Sequence, residues 1–204
     1  MTILQELTTG HVLHPEGFKP YAISVEEKEV EINSIRERIF KGLLNYQQKI
    51  CEDHDHRIVG FCAGYGAGKT RTLCAWTTLC ALDNPNTVGA VFAPTGALVR
   101  DVLQRSLEDF WETNEINYEY RASPLPEYKL NLPTGEVTIL CRSMESWQRI
   151  IGVNLSFIGS DELDTTKSDV AQKAIEKFLG RLRAGSRRQL GLFSTPEGFG
   201  TFYN

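Results

Sequence analysis

The sequence predicts an α/β domain with a mostly parallel central sheet flanked by helices, because apolar runs alternate with helical segments. The apolar runs at 57–63 and 87–94 each have the length of a buried strand. A segment with helical character follows each of them, at 69–82 and from residue 95 onwards. Strands that alternate with helices in this way are typical of a parallel sheet.

Later segments extend the same sheet. Apolar runs at 155–162 and 189–195 predict two more buried strands, on either side of a helix at about 169–179. The segment 127–143 has two alternating apolar and polar runs around a Pro-Thr-Gly turn. This pattern predicts a β-hairpin inserted into the parallel core.

Length and composition agree with one domain. A chain of 204 residues with 41% hydrophobic content can bury one sizeable core. The chain has no run of eighteen apolar residues and no N-terminal signal pattern, so we expect neither a membrane span nor secretion. Five cysteines without a CxxC pair fit a reducing compartment, which indicates a cytosol.

Charge excludes one class of protein and leaves a local question open. The formal net charge of -4 argues against a protein that coats nucleic acid with its whole surface. The segment 177–188 nevertheless contains five basic residues and no acidic one. It is either a basic patch for an anionic partner or an ordinary solvated helix end and loop.

We predict two regions along the chain. Residues 1–44 form an N-terminal extension with a peripheral helix, since Ser24 and Glu27 have the spacing of a capping box. Residues 45–204 form the core. The final residues GTFYN carry no helix or capping signal, so we expect a core truncated at its C-terminus and a larger parent protein.

Residues 63–70, Ala-Gly-Tyr-Gly-Ala-Gly-Lys-Thr, match a relaxed form of the phosphate-binding loop, with alanine at the first glycine position. Backbone N–H groups of such a loop converge on phosphate oxygens, and the following helix N-terminus adds partial positive charge. Lys69 would reach the β- and γ-phosphates, and Thr70 would ligate Mg²⁺. The remaining residues that would line the phosphates are Gly64, Gly66, Ala67 and Gly68. The alternative, a purely structural glycine turn, does not explain Gly-Lys-Thr directly after a strand.

Two adjacent carboxylates, Asp161 and Glu162, follow an apolar run about ninety residues downstream of the loop. Asp161 would hold Mg²⁺ directly or through water, and Glu162 would orient and deprotonate the attacking water. This pair indicates hydrolysis rather than storage of a nucleotide. Without the upstream loop, the same pair could equally be the first turn of a helix.

Tyr46 and Gln47 lie upstream of the first core strand and are candidates for recognising the base. The Gln47 amide can form two hydrogen bonds with the edge of adenine, and the Tyr46 ring can stack. This combination favours ATP. The alternative is an ordinary polar helix face, since two adjacent glutamines such as Gln47 and Gln48 are common in protein sequences.

Several segments together resemble the ATPase domain of the large terminase subunit, the DNA-packaging motor of tailed bacteriophages. They are YQQ at 46–48, the phosphate loop, RIIGVNLSFIG before Asp161-Glu162, FAPTGALVRDVL after the second strand, and FSTPEGFGTFYN at the end. The resemblance spans about 43–204. It implies a P-loop NTPase fold of the RecA-like (ASCE) type.

The resemblance also implies roles by position. Gln47 is similar to the residue that reads adenine in this family. Ser194 and Thr195 are similar to a coupling motif, which senses the γ-phosphate and passes its loss to a mobile subdomain. Pro196 and the glycines at 198 and 200 would allow the following segment to re-aim.

The arginine finger has two candidates, Arg142 and Arg149. Many large terminases have an arginine inside the phosphate loop, where this chain has Gly64 and Tyr65. Many also have Arg-x-Arg-Gly before the strand that ends in the two carboxylates, where this chain has Arg-Ile-Ile-Gly at 149–152. The finger would therefore be Arg142 or Arg149, acting on its own loop or on that of a neighbouring copy.

The same resemblance implies cofactors, partners and location. The cofactors are ATP and Mg²⁺, and the macromolecular partners are double-stranded DNA, the portal protein and the small terminase subunit. A homo-oligomeric ring is expected on assembly, a monomer for the isolated domain, and no membrane partner. The location is the host cell cytoplasm rather than the mature virion, and the family's C-terminal nuclease is not expected within these residues.

Two other functions stay open at this point. A helicase-like DNA-dependent ATPase is one, because the segments APT and STP are similar to segments of that group. A nucleotide-dependent binding switch is the other, but a switch has little need for a general base such as Glu162 beside the metal ligand.

Overall fold

The structure is a computed structural model that describes residues 24–196, and its centre is a seven-stranded sheet. The strands are, in chain order, β1 (Ile58–Cys62), β2 (Val88–Ala93), β3 (Asn117–Arg121), β4 (Glu127–Leu132), β5 (Gly135–Ser143), β6 (Phe157–Asp161) and β7 (Gln189–Ser194). Their spatial order is β1-β7-β6-β2-β5-β4-β3. Residues 1–23 and 197–204, including the glycines at 198 and 200, lie outside the described residues.

Helices cover both faces of this sheet. They are α1 (Val25–Lys41), α2 (Asn45–Cys51), α3 (Lys69–Asp83), α4 (Gly96–Leu98), α5 (Arg105–Thr113) and α6 (Ser168–Arg181). A π-helical stretch, Val99–Gln104, joins α4 to α5, and two 3-10 helices lie at Met144–Ile150 and Leu163–Thr165. No helix within residues 24–196 is both long and apolar enough to cross a membrane.

The predicted fold class is confirmed. Five adjacent strands are parallel to one another, in the spatial order β1, β7, β6, β2 and β5. Beyond β5, strands β4 and β3 continue the sheet in antiparallel orientation. The predicted hairpin forms from β4 and β5, but β5 also pairs in parallel with β2, so one arm belongs to the core. Strand β3 was not predicted, because its residues are mostly exposed and form no apolar run.

Helix α3 is buried almost throughout, and this fixes the phosphate loop over the sheet. Trp76 lies at its centre, with ring centroids 5.9 Å from those of both Phe157 and Phe193. Gly159 and Gly191 make room for the helix, since a Cβ on Gly159 would lie 2.5 Å from Leu73 Cδ1 and one on Gly191 would lie 3.0 Å from the Trp76 ring. The helix therefore sits closer to β6 and β7 than any larger side chain would allow.

A second apolar cluster covers the opposite face of the sheet. The Phe92 and Phe178 rings lie 4.6 Å apart there and join β2 to α6. The cluster around Trp76 is buried on one face of the sheet, and the cluster around Phe92 and Phe178 is buried on the other. The domain is therefore a sheet between two layers of helices.

The N-terminal helix α1 starts at the predicted capping box. The Ser24 hydroxyl accepts a hydrogen bond from Glu27 N–H at 3.1 Å, and Ser24 N–H donates to the Glu27 carboxylate at 2.8 Å. Only the second half of the helix packs on the core, through Ile35 and Ile39. Val30, in the first half of the helix, is 70% exposed.

Arg187 is a buried link between distant segments at the amino ends of β1 and β7. Its guanidinium donates to Gln189 Oε1 at 2.8 Å, to Asp83 Oδ2 at 2.9 Å and to the Cys51 carbonyl at 2.9 Å. Asp83 also pairs with Arg36 of α1. Sequence reasoning grouped Arg187 with the exposed basic patch, which is wrong for this residue because these acceptors satisfy it inside the fold.

We predict that Arg187→Met lowers the free energy of unfolding by about 3–5 kcal/mol, because it leaves buried acceptors without their donor. Denaturant unfolding monitored by tryptophan fluorescence measures this. Arg183→Met is the matched control, since Arg183 is exposed on the same loop, and it should change stability by less than about 0.5 kcal/mol. Equal losses in both variants would contradict a structural role for Arg187.

Candidate active site

Three strands end side by side where the predicted site residues lie. Cys62 of β1 pairs with Ser194 of β7, and Asp161 of β6 pairs with Phe193 of β7. The carboxyl ends of parallel strands are the usual position of a ligand site in such sheets. The fold thus brings the phosphate loop, the carboxylate pair and the Ser-Thr pair to one edge.

The loop between β1 and α3 has the backbone that its glycines allow. Gly66 and Gly68 have φ angles of 77° and 74°, in the left-handed region where glycine is favoured. A Cβ on Gly68 would also lie 2.5 Å from Gln47 Nε2. Helix α3 begins at Lys69, so its N-terminus points at the loop.

Gln47 and Tyr46 lie directly against this loop. Gln47 is buried, and its Nε2 donates to the carbonyls of Ala67 and Gly68 at 3.4 and 3.3 Å. Its Oε1 accepts from Leu44 N–H at 2.8 Å, and the Tyr46 hydroxyl donates to the Ala67 carbonyl at 3.2 Å. In this structure both side chains hold the loop, and base recognition by Gln47 stays a prediction.

Lys69 lies folded back into its own loop. Its Nζ donates to the carbonyls of Ala63 and Gly64, both at 3.1 Å, and lies 3.8 Å from Glu162 Oε1. Sequence reasoning did not assign a role to Tyr65, whose ring centroid is 5.7 Å from the same ammonium and whose side chain is 84% exposed. Its position inside the loop was the available signal.

Thr70 and Asp161 come together as the pair expected for a metal. The Thr70 hydroxyl donates to Asp161 Oδ2 at 2.9 Å, while the buried Oδ1 has no hydrogen-bond partner among residues 24–196. An unsatisfied buried carboxylate oxygen beside a hydroxyl fits Mg²⁺, which prefers oxygen ligands. Burial raises the pKa of Asp161 to about 6, against the opposing effect of the Thr70 hydrogen bond.

Glu162 turns away from its strand to meet the end of β7. It has a left-handed backbone, with φ 46° and ψ 46°, a conformation that costs a non-glycine residue about 1 kcal/mol. Its carboxylate accepts from Thr195 N–H at 2.9 Å and from the Thr195 hydroxyl at 3.1 Å. Thr195 therefore orients the group predicted to act as the general base.

Ser194 faces inward and is fully buried. Its hydroxyl accepts from Asp164 N–H at 2.9 Å and donates to the Thr195 carbonyl at 3.0 Å. Its backbone carbonyl accepts from Ala63 N–H at 3.2 Å, at the start of the phosphate loop. Ser194 thus ties three segments of the site together, and this contact pattern could not be read from the sequence.

The two arginine candidates lie elsewhere on the same edge. Arg142 and Arg149 line a cleft of about 530 Å³ together with Arg100 of the π-helical stretch. Arg142 is buried and donates to the Pro126 carbonyl, and Arg149 is exposed. Strand β5, which carries Arg142, is separated from β6 by β2, and no hydrogen bond of Arg142 within the described chain reaches the phosphate loop.

The family follows from comparison with known proteins. The model of the DEAD/DEAH box helicase family matches residues 44–196, three quarters of the chain. The chain belongs to the DEAD/DEAH box helicase family. A search of curated protein sequences gave no match.

Solved structures of phage large terminases share the fold of this DEAD/DEAH box family member. The Thermus phage P74-26 large terminase ATPase domain is 18% identical at a TM-score of 0.62, over 89% of this chain and 72% of that domain. A large terminase from a thermophilic bacteriophage, solved with ATP-γ-S, is 14% identical at 0.61, over 76% of this chain and 38% of that one. The HK97 bacteriophage large terminase is 17% identical at 0.53, over 82% and 37%.

These likenesses confirm the RecA-like P-loop NTPase fold, and the chain spans under two fifths of the two longer terminases. Family membership and the assembled loop and carboxylates make the chain an ATPase, as the sequence predicted. The roles of individual site residues stay predictions.

We predict that Asp161→Asn stabilises the metal-free protein at neutral pH and abolishes ATP hydrolysis. The pKa of Asp161 is raised, so its charge disfavours the folded state above about pH 6, and that penalty disappears as the pH falls towards 4. The variant should gain about 1–3 kcal/mol near pH 7.5 and less near pH 5. Denaturant unfolding with a chelator present measures both values, and a variant that is less stable at both would contradict the prediction.

We further predict that Thr195→Val lowers the turnover number roughly tenfold and leaves ATP affinity nearly unchanged, because the lost hydroxyl donates to the Glu162 carboxylate and orients it. Phosphate release and fluorescent-nucleotide binding measure the two quantities. Thr195→Ser keeps the hydroxyl and should retain most activity. A parallel loss of affinity and turnover in Thr195→Val would assign the residue to nucleotide binding instead.

Proposed function

We propose that the chain is the ATPase portion of a large terminase motor, in which ATP hydrolysis drives double-stranded viral DNA into a procapsid. The observation that carries this proposal is the contact between the Glu162 carboxylate and both donors of Thr195. This contact links the hydrolysis residue to the strand end where the coupling motif begins.

The arrangement gives each residue a step. Lys69 exchanges its contacts with the loop carbonyls for nucleotide phosphates, which the loop N–H groups also bind. Glu162 accepts a proton from the attacking water, at the oxygens that Thr195 holds in place. Mg²⁺ held by Thr70 and Asp161 would neutralise charge on the phosphates.

Coupling follows from what Thr195 contacts. Any movement of the Glu162 carboxylate towards water or phosphate changes its hydrogen bonds to Thr195. Thr195 precedes Pro196 and the segment 197–204, so a change at the carboxylate is passed to the chain beyond β7. A local hydrogen-bond change that is passed along the chain is one of the known forms of switching.

The remaining assignments form part of the same proposal. The cofactors are ATP and Mg²⁺, and the partners are double-stranded DNA, a portal protein and a small terminase subunit. In a ring, Arg149 or Arg142 of one copy would lie near the phosphates bound by the next copy. This agrees with their position away from the phosphate loop of their own chain. The protein acts in the host cell cytoplasm, with residues 1–44 as an extension of the core at 45–204.

A helicase-like DNA-dependent ATPase is the second candidate, and the match of the family model favours it. The two candidates differ in what happens to the duplex. A packaging motor moves intact double-stranded DNA, whereas a helicase separates strands. A forked duplex with a labelled strand, incubated with the protein and ATP, distinguishes them, because strand release supports the helicase.

We predict that Glu162→Gln in the complete packaging protein keeps ATP affinity within about threefold and lowers hydrolysis by at least about a hundredfold. An amide cannot deprotonate water. DNA that becomes protected from nuclease inside procapsids reports packaging, and phosphate release reports hydrolysis.

Lys69→Ala is the comparison variant, since it should lose both binding and hydrolysis. Normal hydrolysis by folded Glu162→Gln protein would move the base elsewhere. Hydrolysis by the wild-type protein without any packaging would contradict the motor and leave the ATPase in place.

A further inference from the structure

A polar cleft of about 380 Å³ lies at the amino ends of β1 and β7, at the edge of the sheet opposite the edge that carries the nucleotide site. Its lining includes His54, Asp55, His56, Arg57, Ser186 and Arg188. Arg57 directly precedes β1, and Arg188 directly precedes β7. The two strands pair in parallel with Ile58 opposite Leu190, so Arg57 lies opposite Gln189, one position along the chain from Arg188.

The loop that carries Arg188 is held rigidly from below. Buried Asn84 accepts from the N–H groups of Ser186 and Arg187 at 2.8 and 3.0 Å, and donates to the Arg187 carbonyl at 2.8 Å. Gly185 has a φ of 68°, and a Cβ there would lie 2.1 Å from Asn84 Oδ1. With buried Arg187 bonded beneath it, the loop is fixed before any partner binds, which lowers the entropic cost of binding.

The cations on this surface lack local counter-charges. Neither Arg57 nor Arg188 forms an ion pair with a carboxylate within residues 24–196. Two nearby carboxylates are engaged already, because Asp53 accepts from His56 and Asp83 pairs with Arg187. Exposed Asp55 is the acidic residue in the lining itself.

The polarity of the cleft decides which anion fits. Its lining is polar except for Leu182, which is only 3% exposed. A stable protein partner requires an apolar interface core, which this surface does not offer. Phosphodiester groups require cations and N–H donors on a polar surface, and such contacts do not depend on sequence.

We propose that this surface, defined by Arg57 and Arg188, contacts the phosphate backbone of double-stranded DNA. The proposal rests on the proposed DNA-translocating function and adds a place where the DNA touches the ATPase core. The surface is separated from the nucleotide site by the five-residue length of β1, roughly 16 Å. DNA bound here leaves the phosphate loop open to ATP.

The test compares two double variants with the same change in net charge. Arg57→Glu with Arg188→Glu alters the proposed surface. Arg105→Glu with Lys41→Glu alters exposed cations on α5 and α1 and is the matched control. Fluorescence anisotropy with a labelled duplex, over a series of salt concentrations, measures affinity and its salt dependence.

Loss of two phosphate contacts should weaken DNA binding on the order of tenfold at low salt, and should reduce the slope of log affinity against log salt by about 1.8. The control pair should keep the wild-type slope. The milder pair Arg57→Gln with Arg188→Gln should also weaken DNA binding and reduce the slope. It keeps the test valid if the glutamate pair does not fold. Unfolding midpoints identify any variant that is not folded.

ATP hydrolysis without DNA separates this proposal from the proposed function. Wild-type hydrolysis together with an unchanged slope in both surface variants overturns the DNA contact and leaves the ATPase intact. A slope that falls equally in the surface and control pairs also overturns it, because the effect would then follow net charge alone. Absence of hydrolysis in the wild-type protein contradicts the proposed function instead.

Discussion

The close packing of α3 on the sheet is the constraint on which the rest of the structure depends. Trp76 occupies the space left by Gly159 and Gly191, so the helix axis approaches β6 and β7 where side chains are missing. The N-terminus of α3 is thereby fixed above the carboxyl ends of the same two strands. The phosphate loop and both carboxylates owe their relative position to this apolar contact.

The site itself is held in order by hydrogen bonds between its own catalytic candidates. Thr70 bonds to Asp161, and Thr195 bonds to Glu162. The second contact is made from a left-handed backbone at Glu162, a conformation that is unfavourable for a non-glycine residue. Functional sites commonly break a local rule in this way, because chemistry and not folding sets the geometry.

The two edges of the sheet carry different chemistry. At the carboxyl edge, loop amides, a lysine and two carboxylates suit a nucleotide and its metal. At the amino edge, a rigid loop presents arginines to solvent above a buried network around Arg187 and Asn84. One sheet therefore separates the nucleotide site from the surface proposed to contact DNA, and β1 and β7 connect the two.

The sequence by itself determined those features that depend on neighbouring residues. Apolar runs that alternate with helical segments predicted the parallel strands. The Gly-Lys-Thr signature located the phosphate loop, and an acidic pair after an apolar run located Asp161 and Glu162. Each signal lies within a few residues, so local conformation and spacing suffice.

Only the tertiary structure decided what distant residues do to one another. It placed Gln47 beneath the loop, turned Ser194 inward, and buried Arg187 while Arg183 and Arg188 stayed exposed. Adjacent arginines look alike in a sequence. Their environments differ because acceptors more than a hundred residues away reach Arg187 alone, and such long-range contacts leave no local pattern.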